Sequence, residues 1–511
     1  MASELAALER AIAAIAPLRS VDDINAHHAA FRAAAVALAR QDEASRRATV
    51  AALDLPVPAS GPARVFVLSW LAAVAGDSRY LVQIQQTLAT TAFTHQQRHF
   101  FYWQVLTRHS HLPRRPELEP ASMYAALLEQ YRRSANVPAA RIAPADRDRD
   151  CVVVITSQLL GVQHAPTADC LDYCRVLQAA LGKRVILINT ADMPWTLPLA
   201  YYEPMRFNRL EEYTALRRLT FKDQTFEFYQ CEKPMPNLGE LRAILETVRT
   251  RRPLFVFSLG HSNVAADLCS QFVTVATMPF GTDLPRAKSD AYILPRARRT
   301  ADAAFMERWG IGAEQIIEAE YTFRLPERSA SFTRARLGLP ADAYVIAVVG
   351  NRLADEVTPA VAAQLADLLA AVPEAFVAFL GTFPNYEDVV RHSPALRERT
   401  RFLGYHQDVQ AVYECCDAYF NPPRYGGGSS AAFALAMGLP VMTANGGDVA
   451  NIAGPAFILD SPEAIRAAVA RLAGDRGYRA EQSAAARARF AEISDRERML
   501  TRILTGVEAR L

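Results

Sequence analysis

Apolar residues recur at helical spacing through roughly the first 140 residues, in alanine-rich stretches from Glu4 to Ala16, Asp22 to Arg40, Val65 to Ala75, Tyr80 to Leu88 and Thr94 to Thr107. Glycines are few there and no strand series appears, so the pattern predicts a helical domain. Pro113 to Pro120 and Val137 to Asp150, rich in Pro, Arg and Asp, read as connections. The period then changes. Cys151 to Thr156 is a continuous apolar, β-branched run, followed by a helical stretch from Ala168 to Leu181, then Gly182 and a second apolar run from Arg184 to Ile188. This alternation predicts a β-α-β unit of a buried parallel sheet. Leu254 to Ser258 and Phe272 to Ala276 repeat the theme, and Phe221 to Phe228 reads as one further strand.

Glu318 to Arg328 carries neither period and reads as an interdomain linker leading into Ala330 to Leu337. Strand and helix patterns then alternate again: Tyr344 to Val349, Thr358 to Val372, Ala375 to Leu380, a helix ending at Val412 to Cys416, and Ala418 to Phe420. The last 45 or so residues are helical in pattern. The expected architecture is α/β: a helical domain over 1–145, then two Rossmann-like domains over 146–328 and 329–511, the second ending in helices.

Composition narrows the class. The 511 residues are 51% hydrophobic and 22% charged, enough for several globular cores. A net charge of +2 gives no electrostatic case for nucleic acid as partner. Arg114-Arg115 and Arg296 to Arg299 read as solvated faces. No apolar run approaches the ~20 residues that span a bilayer, and the acidic start Met1 to Glu4 lacks the basic region of a signal peptide. The seven cysteines (151, 170, 174, 231, 269, 415, 416) are odd in number and lack zinc spacing. They read as reduced core thiols of a cytoplasmic protein, with no metal site and the oligomeric state left open.

The most informative string is Tyr425-Gly426-Gly427-Gly428-Ser429-Ser430, between the Ala418 to Phe420 strand and a helix from Ala431 to Met437; Gly438-Leu439-Pro440 and a strand from Val441 to Thr443 follow. A capped strand-to-helix turn needs one serine or glycine. Three glycines and two serines instead suit a phosphate cradle, where backbone amides at a helix start approach an anion closely.

In this setting several strings, in order, resemble the GT-B nucleotide-sugar glycosyltransferases. Val348-Val349-Gly350-Asn351-Arg352-Leu353 is similar to the segment that opens their donor domain, and Phe402-Leu403-Gly404-Tyr405 with Asp408 to the element beside the nucleotide base. Asp417 to Pro422 and Gly438-Leu439-Pro440-Val441 resemble the strands flanking the phosphate loop. The large retaining branch carries Glu-x7-Glu here, on positions held by Tyr425 and Phe433. The loop, Gly350-Asn351 to Pro359, and Thr277 to Thr282 with Ser289 to Tyr292 resemble the branch of O-GlcNAc transferase and the bacterial cytoplasmic N-glucosyltransferases. The ribose-binding acid of that branch falls on Phe433, and its diphosphate-binding lysine near Glu356, with Arg352 the nearest cation.

The resemblance implies two Rossmann-like domains facing across a cleft, behind an all-α domain. It also implies a metal-independent transfer of a hexose-type sugar from a nucleotide diphosphate sugar, a UDP-sugar, with no other cofactor. The acceptor it suggests is a protein side chain. The donor-binding set is Asn351, Arg352, Gly404, Tyr405, Arg424, Tyr425, Gly426, Gly427, Gly428, Ser429 and Ser430, with His406 beside the nucleotide. Candidates to orient or deprotonate the acceptor are His261, which follows the Leu254 to Ser258 strand, His164, which follows the first strand, and Asp283. His95, His99, His109 and His111 read as packing or surface residues, and His99 to Trp103 as a helix core or a platform for a protein acceptor. The alternatives are a retaining polysaccharide or glycolipid transferase, a non-catalytic GT-B subunit that stabilises a partner, and a nucleotide-sugar epimerase.

Overall fold

The computed structural model describes residues 2–511 apart from 19, 53–56, 60, 111–117, 138–139, 196, 198, 234–235, 392 and 425, and only the backbone of 109–110. Arg114, Arg115, His111, Tyr425 and most of the Pro113 to Pro120 connection therefore lie outside the described residues, as does the side chain of His109.

Helices occupy the chain from Ala2 to Ala135. The Asp22 to Arg40 stretch is two helices, Val21–Asn25 and His28–Leu38, because the chain turns at Ala26-His27. Two helices escaped the pattern: Glu43–Ala52, and Pro120–Ala135, which opens on a proline at its first position and ends on left-handed Asn136. Phe100, Phe101 and Tyr102 are buried in the helical core, so this cluster is not a surface platform.

The first α/β unit is an eight-stranded sheet of β1 (Asp148–Thr156), β2 (Arg184–Asn189), β3 (Arg218–Phe221), β4 (Gln224–Gln230), β5 (Pro253–Leu259), β6 (Val275–Met278), β7 (Ala291–Leu294) and β8 (Ile316–Glu318), in spatial order 3-4-2-1-5-6-7-8. All pairs are parallel except β3 with β4. The single strand expected over Phe221 to Phe228 is this antiparallel hairpin, turning at Lys222-Asp223 with Lys222 at φ +55°. The apolar residues of β1 are buried on both faces, as a central parallel strand requires.

The second unit has β9 (Tyr344–Gly350), β10 (Ala375–Gly381), β11 (Thr400–Gly404), β12 (Ala418–Phe420) and β13 (Val441–Met442), all parallel, in order 11-10-9-12-13. Chain direction across the sheet reverses between β9 and β12, and in the first sheet between β1 and β5. In open parallel sheets such switch points leave a crevice at the strands' carboxyl ends, where ligands bind.

The last helix, Arg496–Glu508, crosses back and packs on the first unit, against β8 and helix Ala165–Ala179. Buried Arg496 fixes the crossing: Nη1 donates to Asp172 at 2.9 Å and Nη2 to Asp169, whose other oxygen accepts from the Tyr321 hydroxyl at 2.7 Å. Arg324 and Arg175 complete the ring around Asp172. Arg296, expected on a solvated face, is instead tucked against Asp302 in a two-pronged pair at 2.8 and 2.7 Å. Among the described residues, no helix is long and apolar enough to cross a membrane. Removing one partner of a buried pair strands the other charge, so Arg496→Met should lower stability by about 3 kcal/mol, read from urea unfolding; an unshifted midpoint would show that the crossing does not depend on this residue.

Candidate functional site

The glycine loop sits at the switch point of the second sheet, on the carboxyl side of β12. Gly426 and Gly427 both adopt left-handed backbone, φ +86° and +83°. Gly427 caps helix Gly428–Ala436 without a side-chain acceptor. The amides of Gly428, Ser429 and Ser430 are therefore first-turn donors without intrahelical acceptors, a ready anion site. A Cβ on Gly427 would fall 2.8 Å from the Arg424 guanidinium, so the glycine is required twice over.

Arg424 faces inward. Its side chain is 5% exposed and spends its nitrogens on Asn421 (2.8 Å), Glu356 (2.8 Å) and the Tyr419 hydroxyl (2.7 Å). It braces the loop from behind and offers no cation to a ligand here. Arg352 caps the short helix Leu353–Glu356, largely exposed, with Nη2 3.3 Å from Glu356. Asn351 is exposed beside it at the end of β9. Gly404 (φ +75°) and Tyr405, 71% exposed, end β11 at the sheet edge. His406 turns to the Leu403 carbonyl and Phe332.

Gly427, Gly428 and Ser429 form one wall of a pocket with about 530 Å³ of empty space. The facing wall comes from the first unit, Ala165 and Pro166 at a helix start and Phe280 to Thr282 after β6, with Asp169, Tyr321 and Phe323 behind. Asp448 and Asn451 span the gap: Asp448 accepts from the Thr282 hydroxyl at 2.6 Å, and the Asn451 amide donates to the same oxygen at 2.5 Å. Thr282 falls in the segment singled out from the sequence; Asp448 and Asn451 were missed, their one signal being the Gly446-Gly447 pair before them.

His164 caps helix Ala165–Ala179, one residue before the pocket wall, its Nδ1 2.9 Å from the Thr167 hydroxyl. Partial burial lowers its pKa, so the ring is neutral near pH 7. His261 follows β5 at the first sheet's switch point. Its ring is open to solvent in the crevice there, and desolvation by the surrounding protein, then Arg286, lowers its pKa. Neither His261 nor exposed Asp283 lines the pocket, nor do Asn351, Arg352, Gly404, Tyr405 or Arg424.

Two buried acids beneath this crevice left no mark in the sequence. Asp267 accepts from the Tyr124 hydroxyl at 2.5 Å and the Lys288 amide at 3.1 Å, tying the helical region to the first sheet; burial raises its pKa to about 7. Asp192, beyond β2, lies near the Ser157 and Thr190 hydroxyls and the Val264 amide, but none closes a hydrogen bond to it. Asn263 holds both hydroxyls instead, at 3.1 and 2.9 Å.

Residues 344–475 match the family model described as glycosyl transferases group 1, a span that runs from β9 through the glycine loop. No curated protein matches the chain. Among solved structures, a mutant of the Thermobaculum terrenum O-GlcNAc transferase aligns over 100% of this chain and 98% of its own, with a TM-score of 0.54 at 16% identity. A glycosyltransferase of Rickettsia africae aligns over 71% of this chain and 99% of its own, with a TM-score of 0.50 at 12% identity. The fold is GT-B behind a helical region, and with the family match it supports a glycosyltransferase far diverged from both structures.

Asp192 supplies a pH test. Burial raises its pKa to about 6 from 3.8, so the folded state holds the proton more tightly and loses stability as pH climbs through that window. Asp192→Asn removes this penalty. The variant should be more stable than wild type at pH 7.5 by up to about 3 kcal/mol, the gain shrinking below pH 6 and vanishing below pH 4 in denaturant titrations. A less stable variant at pH 7.5 would mean that the carboxylate is held by partners.

Proposed function

We propose that the protein transfers a hexose-type sugar from a UDP-sugar to an acceptor on the first α/β unit, a protein side chain, in the cytoplasm. The observation that carries this reading is the glycine loop at its switch point, with first-turn amides and Ser429 on a pocket shared by both units. The amides of Gly428 to Ser430 and the two serine hydroxyls hold the diphosphate. They stabilise the charge that builds on it as the bond from the anomeric carbon to the phosphate oxygen breaks. Arg352, at the end of β9, is the candidate cation. The acceptor oxygen attacks the anomeric carbon and its proton passes to His164, neutral and adjoining the pocket wall; His261 is the second candidate. The full-length likeness to an O-GlcNAc transferase supports a protein acceptor. Seven buried, unpaired cysteines support a reducing compartment.

Incubation with UDP-, GDP- and dTDP-sugars, with and without candidate acceptors, should release UDP, and chelators should leave the rate unchanged. Ser429→Ala/Ser430→Ala should weaken UDP binding about tenfold, for the loss of two hydrogen bonds, at an unchanged melting temperature. His164→Gln should lower kcat by about 10²-fold or more with donor KM retained. Binding and release from none of the donors would favour a non-catalytic GT-B subunit.

A further inference from the structure

A second, narrower opening lies at the carboxyl ends of β1 and β2, walled by Ser157, Gln158, Asn189, Trp195, Asn208 and Arg209. It holds about 190 Å³ of space continuous with solvent, with room for about one water-sized oxygen against the wall. Among the described residues of its wall, Arg209 is the one cation. The side chain is 4% exposed; Nη1 donates to the Glu232 carbonyl at 2.8 Å and Nη2 to the Thr214 hydroxyl, while buried Nε–H has no acceptor among the described residues. The guanidinium lies 4.3 Å over the Trp195 ring. Its nearest acid is Glu211, 3.4 Å from Nη1 but 69% exposed and so a weak counter-charge.

The slot is held open by a buried network. The Trp195 indole donates to the Ala191 carbonyl at 3.1 Å; Asn189 donates to Gln230 at 2.7 Å; Gln230 donates to Thr214 at 3.0 Å. A buried guanidinium with an idle donor is costly unless an acceptor fills the place. An oxyanion suits both the idle Nε–H and the charge. The same β1 loop that supplies Ser157 and Gln158 to the slot continues through His164 to Ala165 and Pro166 on the cleft pocket. We propose that the slot is an acceptor subsite that takes a carboxylate, so that the substrate carries an acidic side chain near the residue to be modified. The assignment to the acceptor rests on the transferase reading above; carboxylate binding itself does not.

The test uses the full-length protein with N-acetylglutamate and its neutral counterpart N-acetylglutamine, read by tryptophan fluorescence, with Trp195→Phe to assign the signal. The acid should give a saturable response that the amide does not. Arg209→Gln should weaken it about tenfold, the loss of one charge-assisted contact, with UDP affinity unchanged. Because Arg209 is buried, Gln158→Glu serves as a second variant: an acid at the slot wall should repel the probe and likewise spare UDP. Equal responses to acid and amide, or an acid response that survives both substitutions, would overturn the subsite. Failure of UDP to bind wild type would instead sink the donor reading while leaving the carboxylate result standing.

Discussion

The second α/β unit depends on one buried ion pair. Arg424 leaves the strand end below the glycine loop and meets Glu356, 9% exposed, from the helix that follows β9. The pair joins the two strands that flank the switch point and sets the height of the loop over the sheet. Gly350 and Gly427 have no room for a side chain because the pair passes beside them. Replacing either partner would leave a stranded charge under the loop, so the geometry of the anion site and the stability of this unit are one property.

The first unit is organised differently. There the crevice floor is polar and buried, with Asp192, Asn263 and the Ser157 and Thr190 hydroxyls within four residues of the strand ends and Asp267 on the helix that follows β5. Helix Pro120–Ala135 seals it through Tyr124, so the helical region is part of the wall rather than an appendage. At the rim of the pocket the two units also meet through Thr282, Asp448 and Asn451, three short polar side chains.

Much of this was legible in the chain. Cys151 to Thr156 announces a central parallel strand because such strands are apolar on both faces, and the glycine-serine string announces its turn because few residues tolerate two successive left-handed conformations. The hairpin of β3 and β4 was hidden because Lys222-Asp223 lacks the glycine or asparagine that marks a tight turn. Arg424 looked like a ligand cation beside a phosphate loop; the acid that claims it is 68 residues away, beyond any local pattern. Asp192 and Arg209 carry no motif. Their interest comes from burial without a full set of partners, which only three-dimensional packing creates.

The crossing of the last helix has a consequence for the modularity of the molecule. Although each α/β unit has its own sheet, the chain's final residues complete the first one, and Arg496 neutralises acids on a helix more than 300 residues earlier. A first unit expressed alone would carry an uncovered apolar strip along β8 and, in Asp169, a carboxylate without its cation. Exchange of the second unit between relatives must therefore bring along a terminal helix that fits the old first unit, so the tail, rather than the linker, sets which halves can be recombined.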